Sequence, residues 1–174
     1  MYDMKQWEKN VKRWLEYEEL DAAFRREITE MMKLPEKERE EEFEDRFGQD
    51  IAFGTGGLRG KVGVGSNRMN RFSVRRVSQG ICDYLTEDLD VFSSSGQPSV
   101  AIGYDSRRDS RRFAESAAEV FAANGIKVYF FREMCPTASV SFAVRKYGCV
   151  MGAMITASHN PAEYNGYKVY EHHG

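Results

Sequence analysis

The sequence predicts an α/β fold: a three-layer α/β/α domain with a mostly parallel mixed sheet, preceded by an N-terminal helical arm. Two observations support this prediction. Short apolar segments alternate with helical segments in the second half of the chain, an order that favours a parallel sheet covered on both faces. The polar first part of the chain instead places apolar residues at helical spacing. We therefore predict a helical arm at residues 1–47 and a main domain at residues 48–174.

The arm is predicted to contain three helices. Asp21 is placed to cap the second helix, and Pro35 suits the first turn of the third, which continues into a strongly acidic segment. That acidic segment indicates a solvated helix face rather than chemistry. The first helix has its apolar residues on one face, at Trp7, Val11, Trp14 and Leu15.

The main domain is predicted to alternate strands and helices. The segments VAIGYD, IKVYFF and CVMGAMI indicate buried strands. The helix between the first two strands should begin at Asp109 or Ser110, and the helix between the last two at Pro136 or Thr137. An amphipathic helix precedes these elements, with apolar residues at Val74, Val77, Ile81 and Leu85.

Composition and charge exclude several classes of protein. The 174 residues are 41% hydrophobic and 30% charged, with a formal net charge of -2, which does not favour nucleic acid or an anionic membrane as a partner. No apolar run approaches the roughly 18 residues that cross a bilayer. The N-terminus lacks the apolar core of a secretory signal. The cysteines, three in all, are widely spaced, so we expect free thiols and a cytoplasmic protein.

The segment TASHNPAEYNGYK contains the first candidate site. A buried strand is predicted to end at Ile155, and Ser158 and His159 follow within four residues. Ligands of open α/β sheets bind beyond the carboxyl ends of the strands, so this position favours a functional role. A turn then leads to a predicted return strand that carries Lys168. The alternative is a structural turn, in which Thr156 and Ser158 bond to the backbone and His159 is an exposed loop residue.

A glycine-rich segment, FGTGGLRGKVGVG, contains the second candidate site. It is not a Walker loop, because Val62 stands where that motif requires Ser or Thr. We interpret the segment as a loop that could present backbone N–H groups, Arg59 and Lys61 to a phosphate. The alternative is an ordinary glycine-rich turn.

A cluster of arginines follows the first predicted strand and opens the next helix. Such a place favours anions. Some of these side chains should pair with neighbouring acidic residues instead. The cluster comprises Arg107, Arg108, Arg111 and Arg112.

Three of these segments together resemble the alpha-D-phosphohexomutase superfamily, which includes phosphoglucomutases, phosphomannomutases and one class of phosphopentomutases. TASHNPAEYNGYK resembles the active-serine segment, FGTGGLRG the N-terminal arginine motif, and GYDSRRDSRRFAE a strand-to-helix segment. The resemblance runs from about Phe47 to the end of the chain. The helical arm is similar to that of the branch with phosphopentomutases and glucose-1,6-bisphosphate synthases.

The resemblance implies a role for each matched residue. Ser158 would be the phosphoserine that donates and recovers a phosphoryl group, with His159 beside it to orient or assist it. Arg59 and Lys168 would contact the substrate, transfer protons and stabilise transferring charge. Magnesium would bind through the phosphate on Ser158, and a sugar bisphosphate such as glucose 1,6-bisphosphate would act as activator. The sequence GLRG departs from the usual family motif around Arg59, which is consistent with the same branch.

The function implied is that of the first domain of a phosphosugar mutase. It would move a phosphoryl group between sugar hydroxyls, from a 1-phosphate to a 6- or 5-phosphate, through a phosphoserine and a sugar bisphosphate. The D-x-D-x-D-R magnesium loop of the family does not occur in this sequence. We therefore expect a truncated first domain that is inactive alone, with a phosphosugar and the later domains of the same polypeptide as partners.

Other functions remain open at this point. The same domain occurs in sugar-1,6-bisphosphate synthases, which the sequence does not distinguish from mutases. A non-catalytic phosphosugar-binding or regulatory module is a second alternative. A third is an α/β domain whose SHNP turn is structural.

Overall fold

A computed structural model describes residues 4–87 and 96–174. Within these residues the chain forms six helices and six strands, as predicted for an α/β fold. The helices are α1 (Gln6–Glu16), α2 (Ala22–Met31), α3 (Glu36–Phe47), α4 (Arg71–Glu87), α5 (Ser110–Ala123) and α6 (Thr137–Tyr147). The strands are β1 (Phe53–Gly54), β2 (Gly57–Lys61), β3 (Ser99–Tyr104), β4 (Lys127–Phe130), β5 (Met151–Ile155) and β6 (Tyr164–Glu171).

The described strands form one mixed sheet in the order β1-β2-β6-β5-β3-β4. The pairs β3–β4 and β3–β5 are parallel, as the alternation of strands and helices predicted. The pairs β1–β2, β2–β6 and β5–β6 are antiparallel. The sheet is therefore less parallel than predicted, because the glycine-rich segment adds two strands beside the return strand.

Helices cover both faces of the sheet, which confirms the three-layer arrangement. One face, the two-helix face, packs residues such as Leu58, Ile155 and Tyr167 against α4 and α5. The other face, the one-helix face, packs Met154 against α6. All residues of β3 and β5 are buried, and each large apolar side chain removed from water contributes about 1.5–3 kcal/mol. The central strands therefore fix the ends from which the functional loops emerge.

The three helices of the arm surround their own apolar cluster. Phe43 and Phe47 are its largest buried side chains, and Val64 and Phe72 of the main domain complete it. The ring of Phe72 lies 5.1 Å from that of Trp14 in an edge-on contact. A division of the chain at residue 47 stays a prediction, since this one cluster includes residues from both sides of it.

Several helix starts differ from the predictions in detail. Asp21 precedes α2 but makes no capping hydrogen bond with its side chain. Its carboxylate instead lies 3.0 Å from the Nε atom of Arg71. Asn70 was not predicted to be a cap, yet its Oδ1 atom accepts the N–H groups of Phe72 and Ser73, each at 3.0 Å. None of the described helices is long and apolar enough to cross a membrane.

Candidate active site

Ser158 lies in a loop at the carboxyl end of β5, as predicted. We call residues 156–163 the serine loop. Thr156 is buried, whereas Ser158 and His159 are exposed. Ser158 has a φ of 57°, a left-handed conformation that costs an ordinary residue about 1–2 kcal/mol. The N–H group of Ser158 donates to Thr156 Oγ1 at 2.9 Å, so the threonine, not the serine, makes the local turn bond.

Arg59 and Lys168 extend from the one-helix face of the sheet. Arg59 on β2 pairs with Gly166 on β6, and the next pair along is Gly57 with Lys168. Directly paired residues, and residues two apart on a strand, share a face. The two cations are therefore diagonal neighbours, and across the β2–β6 pair the residue opposite each one is a glycine without a side chain. Among the glycine-rich residues predicted as a loop, Gly57–Lys61 is instead this strand.

The same register relates the two cations to the start of the serine loop. The N–H group of Thr156 donates to the carbonyl oxygen of Gly166 at 3.0 Å, so Thr156, Gly166 and Arg59 lie on neighbouring strands at one level. Strands are about 4.8 Å apart, which puts β2 roughly 10 Å from the end of β5. Ser158 follows two residues after this level. Lys168 pairs with Met154, two residues before this level, so Arg59 is the cation that lies level with the start of the serine loop.

The side chains of Ser158 and His159 are unpartnered among the described residues. Ser158 Oγ and both imidazole nitrogens of His159 have no hydrogen-bond partner there. No general base in the described part of the chain is hydrogen-bonded to the serine hydroxyl. The role of His159 beside Ser158 stays a prediction, since no hydrogen bond joins the two side chains in the described residues.

The arginine cluster divides into two groups. Arg107 turns towards the serine loop and donates to its backbone carbonyl oxygens. The side chains of Arg108 and Arg112 pair instead with Asp109, and that of Arg111 pairs with Glu115. The sequence indicated an anion site here without separating the four. Arg107 follows the end of β3, which lies beside the end of β5, and this tertiary position identifies it as the arginine that contacts the serine loop.

Two further features lie outside this arrangement. In the described ranges, no group of three or more histidine, cysteine, aspartate or glutamate side chains is placed to hold a metal ion. A cavity of about 240 Å³ lies between the arm and the main domain, away from Ser158. Its lining includes Trp14, Tyr17, Phe72 and Arg76.

Comparisons with known proteins agree with the arrangement of the site. Residues 50–174 match the family model described as "Phosphoglucomutase/phosphomannomutase, alpha/beta/alpha domain I". A "Probable phosphoribomutase" of Schizosaccharomyces pombe is 49% identical over 120 residues, which cover 69% of this chain and 20% of that protein. A phosphoglucomutase of Staphylococcus epidermidis is 44% identical over 134 residues, covering 77% of this chain and 23% of that protein. The human phosphopentomutase is 43% identical over 140 residues, which cover 77% of this chain and 22% of that protein.

A solved structure has the same fold. It comes from Thermus thermophilus, is named as a phosphomannomutase, and superposes with a TM-score of 0.62 at 32% identity. The superposition covers 71% of this chain and 26% of that one. The chain thus spans about a fifth to a quarter of the length of these relatives.

Proposed function

Because the chain belongs to the phosphoglucomutase/phosphomannomutase family, we propose that it is the serine-bearing domain of a phosphosugar mutase, an isomerase that acts as an intramolecular phosphotransferase. The observation that supports the proposal is the position of Ser158 beyond the buried end of β5, in a sheet whose next two strands carry Lys168 and Arg59. The mutase names of the relatives favour this activity over a bisphosphate synthase or a non-catalytic module.

The proposed reaction has two transfers. In the first, the Oγ–P bond of phosphoserine 158 breaks and a new O–P bond forms to a free sugar hydroxyl, whose proton ends on Ser158 Oγ. In the second, Ser158 Oγ attacks the other phosphate of the bisphosphate and gives its proton to the departing sugar oxygen. The phosphate has then moved from the 1-position to the 6- or 5-position, and phosphoserine is restored.

The residues of this chain supply charge and position rather than covalent help. Phosphoryl transfer depends mainly on positioning and on stabilising negative charge. A phosphoserine carries about -1.5 to -2 charges at neutral pH. Arg59 and Lys168 would neutralise this charge and contact the phosphosugar. His159 is exposed beside Ser158, from where it could assist once a substrate covers it.

Magnesium and a sugar bisphosphate complete the proposal. The phosphate on Ser158 would be one metal ligand, but the described residues do not offer the remaining ones. We assign no step to the metal, and we propose that its other ligands come from later domains of a longer polypeptide. A bisphosphate such as glucose 1,6-bisphosphate would act as activator by phosphorylating Ser158. We also place the protein in the cytoplasm, which its free cysteines support.

Mapping the phosphate tests this proposal. The chain would be analysed by peptide mass spectrometry as purified and after incubation with glucose 1,6-bisphosphate and magnesium. We expect phosphate on Ser158 and its loss in Ser158→Ala. The matched control is Ser106→Ala, which removes an exposed serine just beyond the end of β3. Phosphate that is absent from Ser158, or equally present on Ser106, would contradict the proposal.

Turnover is the second readout. We expect the 174-residue chain alone to convert glucose 1-phosphate negligibly, because most of the substrate site and the metal ligands would lie elsewhere. A clear rate with this chain would show that the site is already complete within it.

A further inference from the structure

Every N–H group of the Arg107 guanidinium has an acceptor beside it. Its Nη2 atom donates at 2.8 and 2.6 Å, and its Nη1 atom at 2.8 and 3.0 Å, to four different backbone carbonyl oxygens. The Nε atom lies 3.5 Å from Asp105 Oδ2. The four carbonyl groups belong to Ser158, Asn160, Pro161 and Tyr164.

These contacts hold the peptide units on both sides of Ser158. Its N–H group is fixed by Thr156 and its carbonyl oxygen by Arg107. A non-glycine residue stays in the left-handed conformation only where its surroundings determine it. The serine loop has no strand or helix of its own at residues 156–163. The carbonyl oxygens of Ala157 and Pro161 accept the N–H groups of Asn160 and Tyr164, and further carbonyl oxygens accept from outside the loop. Arg107 donates to three carbonyl oxygens of the loop.

A hydrogen-bond network of Asp105, Ser110 and Asn165 holds Arg107 in place. Asp105 Oδ1 accepts hydrogen bonds from the backbone N–H group of Arg107 at 3.0 Å and from the Ser110 hydroxyl at 2.7 Å. Asn165, which is fully buried, donates to Ser110 Oγ at 2.9 Å. The Arg107 side chain is 15% exposed. The chain of contacts therefore joins the end of β3, the start of α5 and the start of β6 beneath the serine loop.

We propose that Arg107 is a positioning residue that holds Ser158 in the left-handed conformation required for phosphoryl transfer. The catalytic part of this inference rests on the proposed function, and the conformational part does not. Arg107 touches only backbone atoms of the loop, so it acts through Ser158 rather than on the substrate.

The shape of the guanidinium matters as much as its charge. Arginine presents five donors in a rigid planar fork, whereas lysine has three donors around one nitrogen. A lysine at this position would keep the positive charge but could not bridge the same four carbonyl groups. Arg107→Lys therefore separates holding the loop from merely adding charge near the phosphate.

Nuclear magnetic resonance on the chain tests the conformational part directly. Backbone order parameters would be compared at His159 and Asn160 in the wild type, Arg107→Ala and Arg107→Lys. We expect a drop from about 0.85 to below 0.6 in both variants. Sub-denaturing guanidinium, but not methylammonium, should restore order in Arg107→Ala. Unchanged signals from β5 and α5 would show that each variant is folded.

The matched control is Arg108→Ala. It removes the same charge one residue along, from a side chain that is 85% exposed and pairs with Asp109. We expect its serine loop to keep wild-type order parameters. Loop order that survives in Arg107→Ala, or that Arg107→Lys fully retains, would overturn the proposal. Equal loss of order in Arg108→Ala would do the same.

Phosphorylation of Ser158 by glucose 1,6-bisphosphate tests the catalytic part. We expect the rate to fall about 100-fold in Arg107→Ala, the size of effect that a misplacement of about 1 Å produces. A loosened loop with an unchanged rate would overturn the proposal. If the wild-type chain takes no phosphate onto Ser158, the proposed function fails, while the order parameters still decide whether Arg107 holds the loop.

Discussion

Replacing Asn165 by alanine should destabilise the protein strongly, because its side chain joins β6 to the start of α5. The side chain of Asn165 is fully buried. Its Nδ2 atom donates to the carbonyl oxygen of Arg108 at 3.0 Å and to Ser110 Oγ at 2.9 Å. Its Oδ1 atom accepts the N–H group of Gly166 at 2.8 Å.

The magnitude follows from these three hydrogen bonds. Each contributes about 1 kcal/mol net, so Asn165→Ala should lower the free energy of unfolding by about 3 kcal/mol. For a chain of this size, each kcal/mol corresponds to about 2–4 °C in Tm. We therefore expect Tm to fall by about 6–12 °C.

Urea unfolding followed by circular dichroism measures the change. The matched control is Gln79→Ala, which also removes a side-chain amide with three hydrogen bonds, but from the exposed surface of α4. The free energy of unfolding of Gln79→Ala should stay within about 0.5 kcal/mol of the wild-type value. If Asn165→Ala lowers the free energy of unfolding by less than about 1 kcal/mol, or by as much as Gln79→Ala does, the role given to Asn165 is refuted.

Three other predictions concern stability. Burial raises the pKa of Cys82 from 9.0 to about 11 and also raises that of Tyr167, so the unfolded chain loses these protons first. The free energy of unfolding should therefore fall as the pH rises from 9 to 11, and Cys82 should account for roughly 1–3 kcal/mol of this fall. Urea titrations at several pH values should show a smaller fall in Cys82→Ala. Gly166→Ala should cost roughly 1–3 kcal/mol, because the new Cβ would lie 2.6 and 2.9 Å from carbonyl oxygens of both neighbouring strands. The new Cβ of Gly80→Ala on α4 meets nothing within 4 Å, so this change should instead stabilise the protein by about 0.5–1 kcal/mol. Equal effects of the two substitutions on stability would contradict the close approach of the strands at Gly166. Ser158→Gly should be about 0.5–1 kcal/mol more stable than Ser158→Ala, since glycine adopts the left-handed conformation freely, and equal stabilities would argue against strain at this position.

The position of the candidate site could be predicted from local patterns. An uninterrupted apolar run that ends at Ile155 indicates a buried strand, and ligands bind beyond such strand ends. The alternation around Lys168 indicated the return strand. Both patterns depend on neighbours in the sequence, so they are visible without the fold.

Strand β2 could not be predicted in the same way. Glycine has low strand propensity, and four glycines surround Arg59 within a few residues, so the local sequence favours a loop. Pairing with β6 overrides this local preference. The pairing also shows what the sequence hides, namely that Arg59 and Lys168 share one face and lie diagonally across two glycines.

The role of Arg107 also depends on tertiary structure. Arg107, Arg108, Arg111 and Arg112 occupy one short segment, and nothing in their spacing separates them. Only Arg107 is directed at the serine loop, because β3 lies next to β5 in the sheet. Asn70 is similar, since its capping bonds also depend on the turn that precedes α4.

The central claim is that Ser158 accepts a phosphoryl group and returns it to a sugar. A pulse–chase experiment on the longer polypeptide, with the later domains proposed above, tests it most directly: the protein is exposed to glucose 1,6-bisphosphate carrying labelled phosphate and magnesium, separated from it, and then mixed with unlabelled glucose 1-phosphate. We predict that the label enters Ser158 and leaves it in newly formed bisphosphate. Label that never reaches Ser158, or that leaves only as inorganic phosphate, would contradict the claim.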